Sequence, residues 1–394
     1  LLLVILYSCT VEEGVPIAVE QNVGTLLIYA NKDSAQIYLD GEFTGQMTSA
    51  TEGMLLDNIS AGIHVVQVVL EGFYADPDTV EVRKGEQTVV TFTLVAVQLT
   101  GSLEVTTEPD SVYILLDHRF VGYSPLRLDN IPVGEHTLEF RKSNHLPGLQ
   151  EVTVYADSMV SVHLPLTLIR SVLVEHFSNS DCVPCVEADS VLENLLIQLG
   201  EVAAISVGYH PPVPSSADPM YNEARADNDA RKAYYNIFVA PTIYIDGVYP
   251  IGGTLNLRQR LQDAIGNRSV VAPPAMVEIF DFQVAATAIT GRVRVEARQD
   301  FPPDVVLRIA IIEREVVYTT PPGVNGQVRF FDVFRGFHPS PEGISIALTA
   351  GQHRFINFSV PTNPIWHLDQ IQVVAFLQQE STKEVLQAAW SVYP

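Results

Sequence analysis

Apolar residues recur along this chain in two rhythms, and the change between them divides it. From about residue 24 to 168 they alternate with polar ones, as in Ile63-His64-Val65-Val66-Gln67-Val68 and Thr137-Leu138-Glu139-Phe140. Alternation puts every second side chain on one face, the pattern of half-buried strands. Asp40-Gly41, Glu71-Gly72, Lys84-Gly85 and Pro132-Val133-Gly134 punctuate the runs, so strands are short and turns tight. From about Ile169 the order becomes strand, helix, strand, helix. An apolar, β-rich run over residues 171–177 precedes a stretch with Val186, Leu192, Leu195, Leu196 and Leu199 at helical spacing, closed by Gly200. Residues 202–207 read as a second buried strand, 209–221 as a loop and 217–235 as a helix. Residues 239–247 read as loop, strand and hairpin turn. The last helix covers 255–265, with Leu257, Leu261 and Ile265 on one face and Gly266 as its stop. Past residue 272 the chain is β again. Arg292-Val293-Arg294-Val295-Glu296 alternates strictly, and 305–312 and 371–377 are buried-type strands.

The first β region is an internal repeat. Gly24-Thr25-Leu26 answers Gly101-Ser102-Leu103, Asp33-Ser34 answers Asp110-Ser111, and Leu39-Asp40 answers Leu116-Asp117. Phe43 and Gly45 answer Phe120 and Gly122. Leu56-Asp57-Asn58-Ile59 and Gly62-x-His64 answer Leu128-Asp129-Asn130-Ile131 and Gly134-x-His136. So many shared spacings mean a duplicated module of roughly 70–75 residues. Each copy is expected to be a small β sandwich. The turn, strand and Gly-x-His pattern resembles the PEGA family in both copies, with His118 replacing the turn glycine in the second. The resemblance implies an extracytoplasmic spacer or binding module without catalytic residues. His64 and His136 read as packing or turn residues, because no Cys, His or carboxylate cluster surrounds them.

The expected fold class is multidomain, mostly β plus α/β: two small β-sandwich repeats (24–97 and 98–168), one α/β domain (169–271) and a C-terminal β-sandwich (272–394). The 394 residues carry a net charge of −23. Such an acidic surface repels phosphate backbones, which argues against nucleic-acid partners. Residues 1–9 are too short to span a bilayer, which takes roughly 20 apolar residues. They read as the tail of a signal peptide, with 10–23 as a tether. Leu6-Tyr7-Ser8-Cys9 resembles a bacterial lipobox, which implies acylation of Cys9 and anchoring to a membrane of the bacterial cell envelope, where disulfides persist.

Candidate chemistry centres on Cys182-Val183-Pro184-Cys185. A cysteine at a helix N-terminus faces unpaired N–H groups and the positive end of the helix dipole, which favour the thiolate. Cys182 is the candidate attacking sulfur and Cys185 the resolving one. One C-x-x-C supplies two zinc ligands of four, so no metal is expected, and no cofactor. Strand, C-x-P-C, helix, strand, helix and Ala240-Pro241-Thr242 resemble the thioredoxin-like fold. The resemblance implies a cis-proline at Pro241 that presents the Ala240 backbone to a substrate strand. It also implies a buried acid in the first strand, mapping to Glu175, that takes the resolving thiol's proton. The usual tryptophan before the first cysteine is Asp181 here, a carboxylate that opposes thiolate formation or caps the helix. From about Ile169 to its end the chain resembles outer-membrane-protein-28-related lipoproteins, which join such a domain to a C-terminal β domain. Two functions stay open. One is thiol–disulfide exchange with envelope proteins. The other is non-enzymatic binding of glycan, cell wall or protein, with the C-x-x-C as a structural disulfide.

Overall fold

The computed structural model describes residues 22–200 and 203–391; Cys9 lies outside them. The chain is mostly β and divides after Gly101 into two compact units. In the first, Val23–Ala30 lies between Met54–Ser60, antiparallel, and Gln87–Phe92, parallel. A four-stranded sheet, ordered Glu42–Met47, Gln36–Leu39, Gly62–Val69, Asp78–Val82, forms the other layer. Leu26, Ile28, Ile37, Val66, Val68 and Phe92 fill the space between them. The second repeat has the same strand order in both layers, with Leu103, Val105, Ile114, Leu138 and Phe140 between.

The paired histidines fasten equivalent turns. Asp40 Oδ1 accepts from Val65 N–H at 2.8 Å and its Oδ2 meets His64 Nδ1 at 2.7 Å. In the second copy Asp117 accepts from Thr137 N–H at 2.9 Å and meets His136 at 2.7 Å. The turn places Gly41 at φ 84°, and His118 takes the same left-handed region at 65°.

The second unit also holds an eight-strand path, β1 Val172–Phe177, β2 Ala204–Tyr209, β3 Thr242–Ile245, β4 Tyr249–Gly252, β5 Val305–Val317, β6 Arg329–His338, β7 Ile371–Gln379 and β8 Val385–Trp390. Their order is β4-β3-β1-β2-β6-β5-β7-β8, and Ile344–Ser345 adds a ninth strand on β5. β1 is parallel to β2 and antiparallel to β3. β2 joins β6 in parallel through Gly208 and Val333. One sheet therefore runs across residue 272, where two separate domains were expected. A three-stranded sheet of Ala275–Val284, Ala288–Ala297 and His353–Pro361 forms a second layer over β5 and β7.

Helices α1 Val183–Leu199 and α4 Leu257–Ser269 cover one face of the N-terminal strands, packing Ala188, Leu192, Leu195, Leu257, Leu261 and Ile265 on Val172 and Val174. Helix α4 runs through Gly266. A mid-helix glycine costs about 1 kcal/mol, and the following turn is held by Arg268, whose guanidinium pairs with Asp246 and Glu384. The stretch expected as one helix is two, α2 Pro219–Glu223 and α3 Arg225–Tyr235, broken where Ala224 leaves helical geometry. They lie on the opposite face, where Tyr235 joins Leu173, Phe177, Tyr209 and Phe334.

Candidate functional site

The loop from Ser178 to Asp181 carries the chain from β1 into α1, and side chains from distant segments set its shape. Asn179 Nδ2 donates to Pro211 O at 2.8 Å and Ser215 O at 2.9 Å. Ser180 N–H donates to Asp218 Oδ2 at 2.8 Å, the same oxygen that His210 Nδ1 meets at 2.9 Å. Asp218 Oδ1 caps α2 by accepting from Met220 N–H at 2.8 Å. Burial pushes the Asp218 carboxyl up, but His210 and the backbone N–H groups more than offset this, so it ends below its ordinary 3.8.

A second clamp comes from the β5–β6 connection. Val324 N–H donates to Asp181 Oδ1 at 2.9 Å and Asn325 N–H to Ser180 O at 3.1 Å. Asn325 Nδ2 donates to Asn179 O at 3.3 Å and Cys182 O at 3.4 Å. Asp181 thus holds this loop and does not cap α1, whose N-cap is Cys182 with no side-chain cap bond. Gly323 is required here: a Cβ on it would stand 2.2 Å from Ser180 O. Neither Asp218 nor Asn325 was singled out in the sequence; an Asp-Pro at a helix start marked the first, and nothing local marked the second.

Cys182 and Cys185 form a disulfide at the start of α1. Pro184 sits in its first turn, where a missing N–H costs nothing. Both cysteines are buried, at 3% and 0% exposure, and Ala240 packs against them. The Ala240–Pro241 bond is cis. Cys182, Cys185 and the Ala240-Pro241 pair are therefore together. The three segments that meet there carry exposed apolar side chains: Val183 at 65%, Phe238 at 80%, Val239 at 63% and Val324 at 79%.

Glu175 is elsewhere. Side chains alternate across a strand, and Val172 and Val174 face α1 while Leu173 and Phe177 face α3. Glu175 shares the α3 face. Its Oε1 accepts from Arg231 Nε at 2.7 Å and its Oε2 from Tyr235 Oη at 2.6 Å. Burial alone would lower Arg231, but Glu175 leaves it raised. This ion pair, fully buried, points away from the disulfide, so Glu175 does not stand where the resolving thiol's proton acceptor was expected. The neighbour that does face α1 is His176. Its Nδ1 lies 3.7 Å from Asp189 Oδ1, and Asp189 Oδ2 accepts from Ser178 Oγ at 2.7 Å. His176 and Asp189 line a cavity of about 400 Å³ with Glu193, Arg314 and Asp332. Among the described residues no group of three His, Cys, Asp or Glu side chains is arranged to hold a metal, and no helix is long and apolar enough to cross a membrane.

No curated protein sequence matches the chain. Among solved structures it is similar to HBP35 of Porphyromonas gingivalis, at 12% identity and a TM-score of 0.47, over 57% of this chain and 76% of that one. The Bacillus anthracis TIE protein aligns at 15% identity and TM-score 0.27, over 41% of this chain and 36% of that one. A DUF3823 family protein from Parabacteroides merdae aligns at 9% identity and TM-score 0.19, over 75% and 97%. Residues 23–98 and 100–170 each match the PEGA domain, so the chain carries two PEGA domains in tandem.

Proposed function

We propose that this is a lipid-anchored protein of the bacterial cell envelope that exchanges thiols and disulfides with extracytoplasmic proteins through Cys182 and Cys185, in a thioredoxin-like domain. The observation that carries the reading is a disulfide at a helix start where segments bearing the exposed Val183, Phe238, Val239 and Val324 meet. Apolar side chains left in water beside a redox-capable pair suit transient docking of an unfolded or extended chain. In the reducing direction the Cys182 thiolate attacks a substrate disulfide and expels one substrate thiolate. Cys185 then loses its proton and attacks Cys182 Sγ. That step expels the second substrate sulfur and leaves the pair oxidised. The envelope location rests on the PEGA domains and on the lipobox-like run ending at Cys9.

The burial of both cysteines favours a second reading, a permanent structural disulfide in a surface binding protein. One experiment separates the two. In envelope extracts, Cys185→Ala is expected to accumulate mixed disulfides through Cys182, and Cys182→Ala to accumulate none. The pair is expected to have a reduction potential near or above about −270 mV. A value well below about −300 mV, with no trapped adduct, sinks the exchange reading. In the same cells Cys9→Ser is expected to release the protein from the membrane fraction; continued membrane association would remove the anchor from the proposal.

A further inference from the structure

A second cavity, of about 840 Å³, opens between the second PEGA domain and the C-terminal strands. Its walls belong to one compact unit, and their junction is fastened. Asn144 Nδ2 donates to Ala388 O at 2.7 Å and to Ser171 Oγ at 3.0 Å, while its Oδ1 accepts from Val277 N–H at 2.9 Å. The volume falls within the roughly 300–1,000 Å³ of small-molecule sites, which favour such junctions.

One wall is aromatic. Tyr113 and Tyr123 line it, and Phe120 stacks behind Tyr113 with ring centres 4.3 Å apart. Tyr123 meets both rings edge-on, at 5.8 and 5.4 Å, and is 52% exposed. Among the described residues neither tyrosine hydroxyl makes a hydrogen bond. The facing wall carries Phe280, Asp281 and Phe282. Three successive residues of a regular strand cannot all border one cavity. Here a bulge between Phe280 and Gln283, with Asp281 at φ 50°, makes that possible.

The duplication supplies an internal control. Tyr113 and Tyr123, paired across their hairpin, stand where the first PEGA domain pairs Gln36 with Met47, while Phe120 matches Phe43. The two copies share their buried faces and differ at these positions, and the tyrosines occur in the copy that lines a cavity. Charge narrows the ligand class. Glu139 pairs with Arg141 at 2.7 Å, Glu278 with Lys142, and Asp281 with Arg292. Every charged side chain on the walls has an opposite partner, so the cavity has no spare charge for an ion. It offers ring faces, free phenol hydroxyls and carboxylate oxygens. These suit a neutral, polyhydroxylated ring, whose C–H face lies on an aromatic plane and whose hydroxyls meet the polar groups.

We infer that this cavity binds a neutral oligosaccharide, with Tyr113 and Tyr123 as its platform. The test titrates soluble tetrasaccharides of glucose, α-1,4 and β-1,4 linked, and of N-acetylglucosamine into the intact protein by calorimetry. At least one is expected to bind saturably. Tyr113→Gln and Tyr123→Met, which install the first domain's residues and so preserve the fold, are each expected to weaken it by about ten-fold. Gln36→Ala and Cys182→Ser are expected to leave it unchanged, which keeps this site separate from the redox reading. No saturable binding at millimolar sugar overturns the inference. So does binding that survives both tyrosine substitutions, or a proline-rich peptide that binds and depends on the two tyrosines where no sugar does.

Discussion

Asp218 ties the loop before the disulfide to His210 and to the start of α2. It is fully buried, yet it accepts from Ser180 N–H, meets His210 and caps α2. Removing one member of such a buried set leaves the others unpaired, which costs about 3 kcal/mol or more. Asp218→Ala is therefore expected to lower unfolding free energy by about that amount at neutral pH, measured by urea titration. Its folded pKa is depressed below 3.8, so its contribution is complete above that value and is lost as pH falls through the folded one. The wild type should lose stability over this acid range, and the variant should show a shallower loss; parallel curves would place the proton-linked stability elsewhere. Glu175 shows where sequence reading stopped at this scale. Its burial was implied by the thioredoxin-like resemblance, but its direction was not legible. A one-residue difference in spacing to Cys182 moves a strand side chain to the opposite face, where Arg231 receives Glu175.

At the scale of elements, the alternation of the repeats and the strand-helix order from Ile169 were legible because each follows from local periodicity. Helix ends were not. Gly266 is a stop by propensity, but Arg268 reaches Asp246 and Glu384 and continues the helix beyond it. The β5–β6 connection was also illegible, since its partner Asp181 lies 143 residues away from Val324. That loop holds the backbone that leads into the disulfide, from Asn179 to Cys182, so lifting it is expected to open access to Cys182. Gly323→Ala places a Cβ against Ser180 O and must lift the loop. Loss of one hydrogen bond's worth of closure, about 1.4 kcal/mol, corresponds to about ten-fold faster reduction of the disulfide by a soluble phosphine. An unchanged rate, with the loop's protection from hydrogen exchange also unchanged, would mean that the loop tolerates the methyl group and does not gate the sulfurs.

Across the whole second unit, the α/β half and the C-terminal strands share structure. Leu173, Phe177 and Tyr209 from the first pack with Phe334, Phe376, Val385 and Ala388 from the second. Polar contacts cross at the same place. Arg231 Nη2 donates to Gln378 Oε1 at 2.9 Å, Arg170 Nη1 to Val385 O at 2.9 Å, and Val385 N–H to Asp246 O at 2.9 Å. Cutting at residue 271 would expose the buried side chains of Leu173, Phe177 and Tyr209 and leave Arg231, Arg170 and the Asp246 carbonyl short of partners in a low-dielectric interior. Residues 169–271 alone are thus expected to lack a cooperative thermal transition, even with the disulfide formed. Residues 102–394 are expected to unfold in one step, with fluorescence and far-ultraviolet dichroism coincident. If the short fragment instead melted cooperatively near the temperature of the longer one, the shared sheet would be a contact between two self-sufficient domains. The C-terminal strands would then be dispensable for holding the sulfurs, and the effect expected of Gly323→Ala would have to come from the loop alone.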